Sequence, residues 1–100
     1  MIIVLGTIEV DDGDQQRFLD EKSAQVAATR AEEGCIDYAF TADADDPGRV
    51  RLVERWESMA ALRAHVAALR EAPSPRPPVV ASRMIEAEVY EAVAVQPPWA

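Results

Sequence analysis

Residues 50–65 read VRLVERWESMAALRAH, and this stretch decides the fold because two kinds of periodicity meet within it. From Val50 to Glu57 the side chains alternate between two faces, which is the pattern of a strand. Ser58 is a residue type that caps helix N-termini. The apolar positions after it recur at helical spacing and predict a buried stripe, formed by Met59, Leu62, Val66 and Leu69. The stretch therefore predicts a strand followed directly by an amphipathic helix.

The part of the chain before this stretch predicts a strand and a helix. Residues 2–10 are rich in β-branched and apolar types on both faces, which is typical of a central strand. Residues 14–32 contain good helix formers, and Asp12 and Gln15 stand at the spacing of a capping box. Gly34 supplies the left-handed conformation with which many helices end.

Two more strands complete the pattern. Residues 35–41 alternate and predict a strand with one shared face, formed by Ile36, Tyr38 and Phe40. The polar turn 43–48 joins it to the next strand as a hairpin. Residues 72–78 contain four prolines and predict an exposed connector, and residues 83–95 predict the last strand.

The resulting order is β-α-β-β-α-β, which predicts an α+β fold of the ferredoxin-like kind. In this fold two helices cover one face of a four-stranded antiparallel sheet. The bare face of such a sheet exposes apolar side chains, and a partner usually covers it. We expect one domain over residues 1–95 and an irregular tail over residues 96–100.

Composition excludes several classes of protein. One hundred residues with a formal net charge of −8 make one acidic domain, so we expect neither nucleic acid nor an anionic membrane as a partner. Cys35 is the only cysteine, so neither an intrachain disulfide nor a cysteine-rich zinc site is possible. The absence of a basic leader and of a long apolar run predicts a cytoplasmic protein. No flavin or nicotinamide motif and no metal-binding motif is visible, so we expect no cofactor and no metal.

The pattern E-x-W-x-S in residues 54–58, followed by Leu62 and by the Ala64-His65 pair, resembles the antibiotic biosynthesis monooxygenase family. Residues 33–35 with the nearby Tyr38 resemble the start of that family's second strand. The resemblance covers residues 2–70 well and the last strand loosely.

The resemblance implies a fold and a set of activities. The implied fold is a dimeric α+β barrel, in which two sheets pack face to face and each protomer holds a ligand pocket between helices and sheet. The implied activities include cofactor-free monooxygenation of aromatic polyketides or quinols, and haem degradation in another branch. That branch uses an asparagine and a tryptophan where this chain has Thr7 and His65, so we do not expect haem as a substrate. Many relatives also carry a second histidine, which this chain lacks.

His65 is the candidate base for cofactor-free oxygenation of a small aromatic molecule. Such a reaction needs a group that removes a phenolic proton, and the reference pKa of histidine lies near neutrality. His65 is the only histidine in the chain and stands near the apolar stripe of the predicted second helix. The alternative is a histidine that bridges core and surface through hydrogen bonds.

The candidate substrate-binding residues are Trp56, Tyr38, Glu54, Thr7 and Met59. Trp56 would stack on an aromatic ligand and Tyr38 would orient it, unless both fill the core. Burial would raise the pKa of Glu54 and make it an acid or base, unless an arginine such as Arg51 or Arg83 pairs with it.

We therefore predict a homodimeric, cofactor-independent monooxygenase that acts on a small aromatic, polyketide-like or quinol, molecule. Two alternatives stay open. One is a module of the same fold that binds a small ligand without chemistry, and the sparse set of polar residues favours it. The other is a purely structural homodimer, in which Trp56 and Met59 would fill the pocket.

Overall fold

The computed structural model describes residues 1–72 and 80–100. The elements follow the predicted order β-α-β-β-α-β. They are β1 (Ile2–Val10), α1 (Gln15–Arg30), β2 (Cys35–Ala42), β3 (Arg49–Trp56), α2 (Met59–Glu71) and β4 (Ser82–Glu91). The prediction of an exposed proline-rich connector at 72–78 falls almost entirely outside the described residues.

The four strands form one antiparallel sheet in the order β2-β3-β1-β4. Strands that are neighbours in the sequence, β2 and β3, form the predicted hairpin, whereas β1 lies between β3 and β4. The α+β, ferredoxin-like architecture expected from the sequence is therefore confirmed.

The core lies between the helices and one face of the sheet. Alternate residues of β1 and β3 point into it, as period-two alternation requires. They are Ile2, Val4, Ile8 and Val10 of β1 and Val50, Leu52, Glu54 and Trp56 of β3. Phe18 of α1 and Leu62 of α2 close the core from the helical side. Glu54 is the one carboxylate in this buried set, which makes its surroundings chemically important.

The start of β2 differs from the predicted alternation. Cys35 pairs with Trp56, but the next residue of β3 pairs with Asp37, so Ile36 is an extra residue in a β-bulge. Ile36 is therefore exposed and does not share the buried face of Tyr38. The sequence alternates without interruption at this point, and for that reason it does not reveal the bulge.

The last strand ends earlier than the predicted residue 95. Glu91 pairs with Ile2, which is the first residue of β1, and two further hydrogen bonds join Met1 and Ala92, each through the nitrogen of one residue and the carbonyl of the other. Residues 92–100 form neither helix nor strand.

The first helix begins later than expected and without the predicted capping box. Its N-cap is Asp14, which makes no side-chain capping bond, rather than Asp12. Gln15 instead donates hydrogen bonds through Nε2 to three backbone carbonyls of the β2–β3 turn region. Those acceptors belong to Asp43, Asp46 and Arg49. The helix N-terminus is thus fastened to the hairpin by a tertiary contact.

The second helix begins as predicted but buries only the middle of its predicted stripe. The Ser58 hydroxyl accepts a hydrogen bond from the Ala61 amide, which confirms the N-cap. Leu62 and His65 are its buried residues, whereas Met59 and Leu69 are exposed. The predicted stripe was therefore wrong at both ends, because α2 presents its middle turn to the sheet. Within the described residues, neither helix combines the length and the apolar character that a membrane-spanning helix needs.

Candidate functional site

A cavity of about 390 Å³ opens between the two helices and the inner face of the sheet. Ligand pockets commonly occupy roughly 300–1,000 Å³, so this volume lies within the range of small-molecule sites. Most of its wall is apolar, and a few polar side chains interrupt it. These polar residues are Lys22, Gln25, Tyr38, Glu54, His65 and Ser82.

His65 lies in the wall of this cavity and is only 3% exposed. Its Nδ1 lies 2.9 and 3.0 Å from the two carboxylate oxygens of Glu32, which follows α1. An ionised carboxylate can only accept hydrogen bonds, so Nδ1 carries the proton and Nε2 carries the lone pair of the neutral ring. Within residues 1–72 and 80–100, Nε2 makes no hydrogen bond. This is the arrangement in which a carboxylate orients a histidine so that its other nitrogen can act as a base.

Two aromatic rings hold the imidazole in place. The Trp56 ring lies 4.9 Å from the His65 ring at an interplanar angle of 34°, and the Tyr38 ring meets it edge-on at 5.3 Å. Trp56 is completely buried and does not line the cavity. Its position in the structure is therefore behind His65, as a support for the imidazole ring.

Glu54 is a buried carboxyl group at the cavity wall, and it is 6% exposed. Burial raises its pKa above the usual value, the hydrogen bond from Trp56 and the nearby His65 oppose this rise, and Glu32 adds to it. The indole Nε1 of Trp56 donates to Glu54 Oε1 at 2.9 Å. Glu54 therefore keeps its proton to a higher pH than an exposed glutamate does.

The expected arginine partners of Glu54 bind elsewhere within the chain. Arg51 donates to the Thr7 hydroxyl and to the Asp43 carboxylate, and Arg83 donates to Glu9. Both arginines lie on or near the face of the sheet that the helices leave bare, so neither reaches Glu54. Among the described residues of one chain, the alternative in which Arg51 or Arg83 pairs with Glu54 is therefore not seen, and the indole of Trp56 is the partner of Glu54 instead.

Tyr38 lines the cavity with its hydroxyl group held in position. Gln25 Nε2 donates to the Tyr38 oxygen at 3.0 Å, which leaves the phenolic proton available to a ligand. Burial is the main cause that raises the pKa of Tyr38 to about 12, against the effect of the Gln25 hydrogen bond. Tyr38 is thus a neutral hydrogen-bond donor throughout the physiological pH range.

Two of the residues predicted to bind substrate lie away from this cavity. Thr7 is in the strand face opposite the helices, where its hydroxyl accepts a hydrogen bond of 2.7 Å from Arg51. Met59 lies in the first turn of α2 beside a separate surface depression near Met1 and Tyr90. The structure therefore brings together His65, Glu54 and Tyr38, supported by Trp56, but neither Thr7 nor Met59.

Sequence reasoning missed Glu32 and Gln25. Glu32 was interpreted only as part of the end of the first helix, and it lies 33 positions from His65 in the chain. Gln25 lies 13 positions from Tyr38. No local pattern connects such pairs, although a carboxylate beside the Gly34 turn was a visible hint. Among the described residues, no group of three or more His, Cys, Asp or Glu side chains is placed to hold a metal ion.

The antibiotic biosynthesis monooxygenase family model matches residues 1–69. The chain belongs to this family. The match includes every residue of the cavity except those of β4, so the family assignment and the site geometry concern the same part of the molecule.

Solved structures agree with the assignment at the level of the fold. A candidate antibiotic biosynthesis monooxygenase from Deinococcus radiodurans is 22% identical, with 97% of each chain covered and a TM-score of 0.71. A second candidate, from Chloroflexus aurantiacus, is 18% identical, with 96% of each chain covered and a TM-score of 0.71. A protein of Shewanella oneidensis is 25% identical, with 89% of this chain and 87% of the other covered and a TM-score of 0.70.

A curated relative exists in Synechocystis sp., where it is an uncharacterized protein. It is 31% identical over 64 residues. These residues are 64% of this chain but only 44% of the relative, so the chain spans less than half of that relative's length.

Proposed function

We propose that this member of the antibiotic biosynthesis monooxygenase family is a cofactor-independent monooxygenase for a small phenolic aromatic molecule. The observation that carries the proposal is the Glu32–His65 pair. Glu32 binds Nδ1 of His65, a residue of the cavity wall, and so leaves the lone pair of the neutral ring on Nε2. A base next to an apolar cavity of this size suits a substrate that is both aromatic and acidic at one oxygen.

In the proposed reaction the substrate supplies all the electrons. His65 Nε2 takes the phenolic proton, and the electron-rich phenolate passes one electron to dioxygen. The resulting radicals combine to form a carbon–oxygen bond at the ring position opposite the phenolic oxygen. The peroxide then loses the ring hydrogen and breaks its O–O bond, giving a quinone and water. One oxygen atom of dioxygen enters the product and the other leaves as water, so neither a flavin nor a metal is needed for the balance.

The other polar groups of the cavity have roles in this scheme that follow from their protonation. Tyr38 donates a hydrogen bond to an oxygen of the reduced dioxygen or of the substrate, since its pKa of about 12 keeps it neutral. Glu54, with its raised pKa, shares that role while it is protonated. Trp56 keeps the imidazole in position by stacking on it.

Oxygen consumption with a panel of anthrones and 1-naphthols tests the proposal, because these molecules carry hydrogen at the ring position opposite the oxygen. We expect the wild-type protein to consume one dioxygen per quinone formed, without added cofactor. His65→Gln should lower kcat by about 100- to 10,000-fold, the usual contribution of general base catalysis. Arg63→Gln is the matched control, because Arg63 is an exposed residue of the same helix and does not line the cavity.

A ligand-binding module without chemistry is the remaining alternative. It is favoured if the wild-type protein binds a naphthol stoichiometrically while oxygen consumption stays at the level of buffer for the whole panel. The structural alternative required Trp56 and Met59 to fill the pocket. An open cavity that neither residue lines supports the two ligand-binding hypotheses over it.

We also infer that the chain forms a homodimer through the bare face of its sheet. Leu5 is 45% exposed and Tyr90 is 43% exposed on this face, and an exposed apolar patch of this kind often marks a protein–protein interface. Burying this face against a second copy would remove both from solvent. Sedimentation equilibrium at micromolar concentration should give twice the 11.0 kDa mass of one chain, and a stable monomer would count against the inference.

A further inference from the structure

Lys22 is the only lysine of the chain, and it lies in the wall of the cavity. It belongs to α1, four residues after Phe18 and three residues before Gln25, and both of these also line the cavity. The three side chains therefore share one face of the helix. His65 reaches the same cavity from the other helix.

The ammonium group of Lys22 has no carboxylate partner within residues 1–72 and 80–100. The remaining residues 73–79 contain neither aspartate nor glutamate. Five arginines, in contrast, form ion pairs on the surface, namely Arg17, Arg49, Arg51, Arg55 and Arg83. In a chain with a net charge of −8, a lysine that lines a cavity without a carboxylate partner can bind an anionic group of a ligand.

The position of Lys22 is also partly fixed. Its Nζ lies 5.5 Å from the centroid of the Phe18 ring, within the range of a cation–π contact, and the residue is half-buried. A side chain held in this way loses less conformational freedom when it binds a ligand. Among the described residues that line the cavity there is no arginine, so Lys22 is the only permanently cationic side chain in that part of the wall.

We propose that Lys22 selects aromatic substrates that carry a carboxylate. The carboxylate binds Lys22 Nζ, while the phenolic end of the same molecule is directed towards His65. The inference rests on the proposed function, because it assumes that the cavity holds the substrate. It goes further by assigning the substrate a second, anionic group and by giving Lys22 the role of a specificity residue.

A matched pair of ligands tests the inference by direct binding. One ligand is a hydroxynaphthoate with its hydroxyl and carboxylate at opposite ends of the bicycle, and the other is the corresponding neutral hydroxynaphthamide. We expect the wild-type protein to bind the carboxylate more tightly. Lys22→Gln should weaken carboxylate binding about three- to fivefold and change carboxamide binding by less than about twofold, as expected for a partly exposed ion pair.

Two control variants separate a local contact from the net charge. Arg63→Gln removes the same charge from an exposed position of α2 that does not line the cavity, and it should leave both affinities unchanged. Lys22→Arg should retain most of the preference for the carboxylate. The preference should also decline as salt rises, because an ion pair near the surface is screened.

The outcomes separate this inference from the proposed function. Equal weakening of both ligands by Lys22→Gln, or equal effects of Lys22→Gln and Arg63→Gln, would overturn the role of Lys22. Binding of neither ligand to the wild-type protein would overturn it as well. A Lys22-dependent preference without oxygen consumption supports the inference and counts against the monooxygenase. Oxygen consumption that is insensitive to Lys22 supports the enzyme and counts against the inference.

Discussion

Gly34 connects the fold to the site, and replacing it with alanine should be strongly destabilising. Its φ of +81° lies in the left-handed region, and an added Cβ would stand 2.5 Å from the Cβ of Ala61 in α2. The backbone strain costs about 1–2 kcal/mol and overpacking about 1–3 kcal/mol. Alanine also restricts the unfolded chain more than glycine does, and this offsets roughly 0.4–1 kcal/mol of the loss. We therefore expect Gly34→Ala to lower the free energy of unfolding by about 2–4 kcal/mol.

Gly13 provides a matched control within the same chain. Its φ is +88°, but an added Cβ there would have nothing within 4 Å. Gly13→Ala should therefore show the backbone term alone, about 1 kcal/mol. Urea unfolding followed by tryptophan fluorescence measures both variants, and with a slope of about 1–3 kcal/mol per molar the two midpoints should be clearly separated.

A second variant tests the contact with Ala61 directly. Adding Ala61→Gly to Gly34→Ala removes the close approach at the cost of about 1 kcal/mol of helix propensity. The double variant should be no less stable than Gly34→Ala and should return the Glu32–His65 pair to its wild-type geometry, since Ala61 lies one turn before His65. Equal losses for the Gly13 and Gly34 variants would refute the reasoning.

Three further predictions concern the interior of the site. Trp56→Phe should lower the free energy of unfolding in urea by at least ~2 kcal/mol, because the buried Glu54 loses its indole donor. The same substitution should cost less in a Glu54→Leu background. The raised pKa of Glu54 makes stability fall as pH rises from its ordinary value of 4.5 through the folded value, since the unfolded chain binds fewer protons there. Glu54→Gln should abolish that fall, and at pH values above the folded pKa of Glu54 the variant should be more stable than the wild type. An unchanged pH profile would contradict this. In nitrogen-15 NMR the neutral form of His65 should carry its proton on Nδ1, and Glu32→Leu should remove that preference.

The sequence predicted the elements well because local periodicity determines them. The alternation in residues 50–57 and the N-cap Ser58 were sufficient for β3 and the start of α2. The features that it could not predict depend on the neighbouring strands. The bulge at Ile36 depends on the register of β2 against β3, and the end of β4 at Glu91 depends on its register against β1. No residue within β2 or β4 encodes these registers.

The site was predictable in its residue types but not in its connections. His65, Tyr38 and Glu54 were recognised because a histidine, a phenol and a buried carboxylate are unusual on apolar faces. The orientation of His65 depends on Glu32, which the topology brings close from the end of the other helix. Thr7 was chosen because it stands where a branch of the family has an asparagine on the first strand, and only the packing of the helices shows which face of β1 lines the cavity.

The most direct test of the account is the position of a phenol in the cavity. A crystal structure of the protein with a bound naphthol, collected without oxygen, would locate the ring and its hydroxyl. We predict that the hydroxyl oxygen lies about 2.6–3.2 Å from His65 Nε2, with Glu32 still bound to Nδ1. A naphthol bound on the bare face of the sheet, or in the cavity with its hydroxyl turned away from His65, would contradict the account.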